Sequence, residues 1–246
     1  MRPPARPSVL PLLLAAAAGV LPGQEAPPKS EPPAVPGNGR PERRGVLPVE
    51  TYLGPSLRAA IGARLARPAP EAPDGGPMAR RPALARSVGF KAGRARILPE
   101  ALAASLRGLD GKGRKAAAAN FQAMLEAYEK EAPRQDVAHA LDYCVGVCRQ
   151  TARGSDLSSG EVQELSRHAL AILLDVPEFQ ALSDRDRQAM YESLILTGGM
   201  VGGLAREAQE SERPEALRRA QALARQVLDC FPGEPAPGGP SDGDQP

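Results

Sequence analysis

The 246-residue chain contains no tryptophan, and only 3% of its residues are aromatic. Strands favour aromatic and β-branched residues, so this shortage argues against a large sheet. The chain also has only two histidines and three cysteines, which are too few for most metal or acid–base sites. It contains neither G-x-S-x-G nor H-E-x-x-H, nor a phosphate-binding glycine loop. We therefore expect no cofactor, and the sequence favours a protein that is not an enzyme.

Residues 1–23 have the order of a secretory signal peptide. Arg2 and Arg6 precede an apolar run from Val9 to Val20, and small residues with a proline follow. This order is typical of a leader removed on export, and the run is shorter than the ~20 apolar residues that span a bilayer. We predict an exported bacterial protein, periplasmic or secreted, with no membrane span once the leader is removed. The cleavage position stays open.

Proline and glycine are concentrated on either side of the helical region. They predict a flexible, proline- and arginine-rich arm over residues 24–96, with one short helix near residues 55–66, and a disordered tail over residues 232–246. Residues 40–96 hold twelve Lys and Arg against four Asp and Glu. Such an arm can attract acidic partners, but it lacks the aromatic side chains that stack on nucleic-acid bases. We predict a protein or cell-envelope component as partner, and no nucleic acid.

Residues 97–231 show the apolar spacing of helices that bury one face. Their boundaries are marked by caps and breakers, of which the S-x-x-E capping box of Ser158 and Glu161 is the clearest, and Gly154 is placed to close the helix that Asp136 begins. Two neighbouring helices have predicted buried faces, formed by Phe121, Met124, Leu125 and Tyr128 and by Val137, Leu141, Cys144, Val145 and Cys148. Because the connections are short, we predict an all-α fold, a single antiparallel bundle of about six helices. Leu106 should lie on the buried edge of the first helix, and Val162 on the buried face that follows the capping box.

Four glycines interrupt the apolar stretch over residues 194–204, namely Gly198, Gly199, Gly202 and Gly203. A glycine lets another backbone approach closely, at a cost of ~1 kcal/mol in helix propensity. We interpret the pattern as close packing inside the bundle. A contact with a second copy or with another partner, and a helix break at the first two glycines, are the alternatives.

The three cysteines raise the question of a disulfide, because an odd number leaves one thiol over in an oxidising compartment. Cys144 and Cys148 are four residues apart, which puts their Cβ atoms ~5–6 Å apart on one helix face, whereas a disulfide needs ~3.8 Å. A bridge from Cys230 to either Cys144 or Cys148 is sterically open. We favour three small apolar side chains packed in the core.

Five polar residues are the candidate site positions: Asp136, His139, Gln188, Tyr191 and Glu192. Asp136 is placed to cap a helix, while Gln188 and Glu192 share a helix face because they are four residues apart. The alternative to a binding protein is an enzyme or metal-dependent protein whose site assembles around His139, Tyr191 and Glu192. Such a site needs a concave pocket where at least two of these groups converge.

Two short motifs contain these residues: D-V-A-H-A over residues 136–140 and Q-A-M-Y-E over residues 188–192. With them, the chain resembles an uncharacterised family of exported bacterial all-helical domains of unknown function. The resemblance covers about residues 88–231 and leaves the arm and the tail outside. It implies an exported helical fold and carries no activity. The resulting hypothesis is a non-enzymatic exported domain that binds another protein or an envelope component.

Overall fold

The computed structural model describes residues 48–67 and 87–232. Over these residues the chain forms helices and no strand, which confirms the predicted all-α fold. The helices are α1 (Pro48–Tyr52), α2 (Pro55–Leu65), α3 (Leu98–Ser105), α4 (Gly111–Glu131), α5 (Val137–Arg153), α6 (Ser159–Asp175), α7 (Pro177–Gln180), α8 (Asp184–Glu210) and α9 (Pro214–Asp229). None of these described helices is both long and apolar enough to cross a membrane.

Several predictions concern parts of the chain outside the described residues. These are the leader over residues 1–23, the arm over residues 24–47 and 68–86, and the tail from residue 233 onward. The short helix predicted near residues 55–66 lies within the described residues, and α2 confirms it.

Helix α5 lies at the centre of the bundle, packed against α6, α8 and α9. Twelve of its 17 residues are buried. A helix that is buried nearly all round has neighbours on every side, so the face predicted from Val137 to Cys148 is only part of the contact surface. The 27-residue α8 packs along it and also contacts α1, α4 and α9.

The glycines of α8 let this helix approach its neighbours closely. A Cβ atom on Gly198 would lie 2.9 Å from Cε1 of Tyr143 and 3.2 Å from Cα of Cys144, and one on Gly199 would lie 2.5 Å from Cε of Met124. The helix continues without interruption through both glycines. Close packing inside the bundle is therefore confirmed at Gly198 and Gly199, and the alternative of a helix break is wrong.

The predicted helix ends are present in atomic detail. The Asp136 carboxylate accepts a hydrogen bond from the backbone N–H of His139, and Gly154 closes the same helix in the left-handed conformation, with φ of 73°. Ser158 and Glu161 form both hydrogen bonds of the capping box. Local side-chain chemistry sets these boundaries, which explains why they could be read from sequence.

The folded part of the chain begins earlier than residue 97, where the sequence placed the start of the domain. Val49, Leu53 and Ile61 have no exposed surface, and Val88 is equally buried. Helix α1 packs on α8, and α2 packs on α6 and α7. Helices of 5 and 11 residues are marginal in isolation, and they are stabilised here by tertiary contacts that propensity does not report.

Two side chains predicted to be buried are exposed. Leu106 follows the end of α3 with extended backbone, at ψ of 120°, and is 40% exposed. Val162 is 38% exposed, because the buried positions of α6 begin one turn later at Leu165. Both residues lie at helix ends. The apolar spacing of the sequence continues to these ends, but no neighbouring helix of the described chain covers the side chains there.

Gly62 of α2 provides a test of how tightly the early helices pack. A Cβ atom there would lie 2.3 Å from the Pro232 carbonyl oxygen and 2.5 Å from the Phe231 carbonyl carbon. Because backbone atoms cannot rotate aside, we expect Gly62→Ala to lower the free energy of unfolding by about 1–3 kcal/mol. Urea denaturation of the full chain measures this change.

Gly111→Ala is the matched control, since nothing lies within 4 Å of a Cβ atom at that position. Gly111 is the first residue of α4, so the substitution should be neutral or slightly stabilising. Equal losses of stability in the two variants would contradict the packing of α2 described above.

Candidate functional site

Helix α8 carries three of the five candidate residues, and all three are buried. Gln188 is 3% exposed, and Tyr191 and Glu192 have no exposed surface. Ser183 caps the start of the helix by accepting a hydrogen bond from the Asp186 N–H. Because Gln188 and Glu192 are four residues apart, they face the same neighbouring segment, whereas Tyr191 points about 100° away from Glu192 around the helix.

Gln188 binds the backbone of the segment that precedes α3. Its Oε1 accepts a hydrogen bond of 2.8 Å from the Gly93 N–H, and its Nε2 donates one of 3.0 Å to the Ala95 carbonyl. The same Nε2 donates to Oε1 of Glu192 at 2.8 Å. Both polar ends of the amide are therefore occupied, and its orientation is determined by the backbone it holds.

Glu192 caps α3 from a different helix. Its Oε2 accepts hydrogen bonds of 2.9 Å from the backbone N–H groups of both Ile97 and Leu98. The residue that precedes α3, Ile97, has no side chain able to cap it. A carboxylate at this position satisfies donors that have no partner within their own helix and interacts favourably with the helix dipole.

Arg187 binds the backbone of the same segment nearer its start, at residues 87 and 89. Its Nη1 donates to the carbonyls of Ser87 and Gly89, at 3.1 Å and 3.0 Å. The guanidinium also lies over the ring of Phe179, 4.6 Å from its centroid. We call Arg187, Gln188 and Glu192 the α8 clamp, because together they bind the backbone between residues 87 and 98.

Tyr191 lies beside the clamp and connects to an ion pair. Its hydroxyl donates to Oε1 of Glu129 at 3.2 Å, and the other carboxylate oxygen of Glu129 is paired with Arg96 at 2.5 Å. Burial raises the pKa of Tyr191, and the neighbouring Glu129 charge raises it further. The hydroxyl also has a backbone hydrogen bond from Gln135, which holds a left-handed conformation with φ of 60° that is unusual for a side-chain-bearing residue.

His139 joins this region through Tyr128. The Tyr128 hydroxyl and Nδ1 of His139 form a hydrogen bond of 2.6 Å. The Tyr128 ring packs 5.0 Å from that of Tyr143 and 6.1 Å from that of Tyr191, centroid to centroid. Burial raises the pKa of Tyr128 well above its ordinary value, and the neighbouring Tyr191 adds to the shift. We call Tyr128, Tyr143 and Tyr191 the tyrosine cluster.

The structure thus brings the candidate residues into one connected region, but it uses their polar atoms internally. Asp136 caps α5, the α8 clamp binds backbone, and the tyrosine cluster bonds to Glu129 and His139. Among the described residues, no three His, Cys, Asp or Glu side chains gather as metal ligands. The hydrogen bonds of this region attach residues 87–98 to the bundle.

Sequence reasoning missed several members of this region, among them Arg96, Glu129 and Arg187. Arg96 had been counted with the basic arm, where arginine is common, and Glu129 is one of several acidic residues on α4. The adjacency of Glu129 to the predicted buried residue Tyr128 was the available signal. It is weak, because neighbours of buried residues on a helix are usually solvent-facing.

The three cysteines are buried thiols, and no disulfide joins Cys230 to Cys144 or Cys148 in the structure. Sγ of Cys230 donates to the Gln226 carbonyl at 3.3 Å. Burial, followed by the nearby Glu50 carboxylate, raises the pKa of Cys230 to about 12. Since the thiolate is the reactive form, this environment disfavours oxidation at Cys230.

Comparison with known proteins identifies the family. Residues 59–233 match a family of unknown function, DUF6683, and the chain belongs to it. The predicted membership of an uncharacterised domain family is confirmed, with a match that starts in α2 rather than at residue 88. No curated protein and no solved structure matches the chain.

Glu192→Gln tests the clamp. An amide has a single accepting oxygen, so its NH2 group would face either the two backbone donors of α3 or the donating Nε2 of Gln188. We expect a loss of about 1–3 kcal/mol in the free energy of unfolding, measured by urea denaturation. The amide protons of Ile97 and Leu98 should also exchange faster with solvent.

Glu126→Gln is the matched control, because this exposed carboxylate accepts only a surface hydrogen bond from Gln122. It should change stability by no more than about 0.5 kcal/mol. A Glu192→Gln protein as stable as this control would show that the α3 cap contributes nothing.

The tyrosine cluster predicts a steep loss of stability in alkali. Burial raises the pKa of Tyr128, Tyr143 and Tyr191, so the folded chain keeps protons that the unfolded chain releases near pH ~10. This stabilisation is complete below pH ~10 and declines as the pH rises above it, by about 4 kcal/mol per pH unit for three phenols. Phenolate absorbance should show these three of the four tyrosines ionising together with unfolding.

Tyr143→Phe provides the internal check on this titration. It removes one buried phenol, so the pH dependence above pH ~10 should fall from three protons to about two. Phenols that titrate one at a time near pH ~10 while the helical signal is intact would contradict the burial described here.

Proposed function

We propose that this DUF6683 member is an exported, non-enzymatic domain that works by binding another protein or an envelope component. The observation that carries the proposal is the internal use of the candidate polar groups. Both oxygens of Glu192 and both ends of the Gln188 amide are bonded to the protein itself. A catalytic acid or base must offer an atom to the substrate within hydrogen-bond reach, and these atoms are already occupied.

The enzyme interpretation requires His139, Tyr191 and Glu192 to address one substrate. Their bonds run in different directions instead. Glu192 accepts from the start of α3, the Tyr191 hydroxyl turns to Glu129 on α4, and His139 is bonded to Tyr128. This divergence supports a scaffold whose polar interior maintains its shape.

Export is the second part of the proposal, and the order of the first 23 residues supports it. An exported domain whose candidate polar groups are used internally would act through its surface, in the periplasm or outside the cell. A low aromatic content, 3% over the chain, fits a surface that recognises its partner more through charge and backbone shape than through aromatic anchors.

The experiment is expression of the full chain with a C-terminal affinity tag in its native host, followed by fractionation. We expect the protein in the periplasm or medium, with its N-terminus beginning after the apolar run, and an envelope component co-purifying with it. A variant lacking the apolar run of residues 9–20 should remain in the cytoplasm and lose that component.

Two results would overturn the proposal. A wild-type protein that stays in the cytoplasm with Met1 in place would exclude export. An exported protein recovered alone, monomeric and with no associated component under mild cross-linking, would exclude the binding role.

A further inference from the structure

The turn between α3 and α4 is the most positively charged exposed part of the described chain that lacks counter-ions. We call residues 106–115 the basic turn. It holds Arg107, Lys112, Arg114 and Lys115 against one carboxylate, Asp110, for a net charge of +3. All four cations are exposed, and within the described residues none has an ion-pair partner.

Three of these cations lie at the start of α4, where the helix dipole is unfavourable for positive charge. Lys112, Arg114 and Lys115 occupy the first turns of α4, which has no acidic residue in its first turn. The start of a helix carries the positive end of its dipole, so cations there destabilise the helix while strengthening the positive potential outside it. The carboxylate of Asp110 is occupied by the Gly113 N–H. An arrangement that lowers stability and raises outward potential is best explained by an anionic partner.

An exposed leucine adjoins the cations. Leu106 is 40% exposed and is one of three large apolar side chains that are exposed in the described chain. It immediately precedes Arg107 and the left-handed turn at Gly108, whose φ is 80°. An exposed apolar side chain in a turn that also carries exposed lysine and arginine matches the boundary between lipid headgroups and acyl chains.

The rest of the turn argues against an ordered protein partner. Gly108, Gly111 and Gly113 provide no side chains, and Leu109 folds back over Gly113, with its Cδ2 3.4 Å from a Cβ atom built there. Protein interfaces depend on well-packed aromatic or arginine anchors in pockets. A turn of glycine and unpaired cations instead suits a broad, non-directional negative surface.

We propose that the basic turn is a membrane-contact surface that binds anionic phospholipid headgroups, with Leu106 entering the headgroup region. This inference rests on the proposed function and names the envelope component as lipid. The α8 clamp holds the start of α3 through Ile97 and Leu98, so the α3–α4 hairpin that carries the turn is attached to the bundle at its first residues.

The test is co-sedimentation of the purified full chain with vesicles of phosphatidylcholine alone or with about 30% phosphatidylglycerol, at about 0.15 M salt. The wild-type chain should bind only the anionic vesicles. The triple variant Lys112→Gln, Arg114→Gln and Lys115→Gln should partition about a hundredfold more weakly, at roughly fivefold per cation. Leu106→Ser should weaken binding about threefold.

Matched controls separate the turn from overall charge and from the basic residues elsewhere. Lys130→Gln, Arg185→Gln and Arg219→Gln together remove three exposed cations outside the turn and should leave most of the binding. Leu204→Ser changes a leucine on α8 that is 48% exposed and should have no effect. Circular dichroism confirms that each variant is folded.

The outcomes are decisive in each direction. Equal binding by the wild type and the turn variant, or equal losses in the turn and control variants, overturns the proposal. Turn-dependent binding to poly-glutamate without vesicle binding also overturns it, in favour of an acidic protein. If vesicles are not bound but an envelope protein still co-purifies, the lipid inference fails and the proposed binding function stands.

Discussion

The carboxylate of Glu192 is buried in the middle of the domain and joins parts of the chain about 95 residues apart. It accepts hydrogen bonds from the backbone N–H groups of Ile97 and Leu98 at the start of α3 and from Gln188, which in turn binds the backbone of Gly93 and Ala95. Burying a carboxylate is costly unless its oxygens are fully bonded. The position of residues 93–98 is therefore coupled to the interior of α8. The backbone groups of this segment and the buried polar side chains of α8 are each other's hydrogen-bond partners.

Much of the remaining architecture follows from that coupling. The hydrogen bonds to Ile97 and Leu98 fix the position at which the α3–α4 hairpin begins. Helix α4 then places Glu129 against Tyr191 of α8 and Tyr128 against His139 of α5. The tyrosine cluster then fills the space between these helices, and the hydroxyls of Tyr128 and Tyr191 are bonded to His139 and Glu129. The polar side chains that the sequence offered as a candidate site are in this way bonded to one another and to the backbone inside the domain.

The sequence predicted the features that depend on local interactions. Asp136, Ser158 and Glu161 cap helices by bonding backbone within three residues, and Gly154 adopts a conformation that glycine accepts most easily. The apolar spacing of Leu125 and Tyr128 also identified buried positions correctly. The candidate residues Gln188, Tyr191 and Glu192 were recognised as one group, although their role was open, because spacing on a helix shows a shared face without showing what lies opposite.

What the sequence by itself determined is the class of fold, the helix boundaries and the family, since these follow from patterns within a few turns of chain. Only the tertiary structure decided that α1, α2, Val88 and Phe90 belong to the core, that Arg96 pairs with Glu129, and that Leu106 is exposed. Each of these depends on contacts between segments tens of residues apart. Proline- and arginine-rich composition resembles a flexible arm until a packed partner, here the α8 clamp, supplies the bonds that order it.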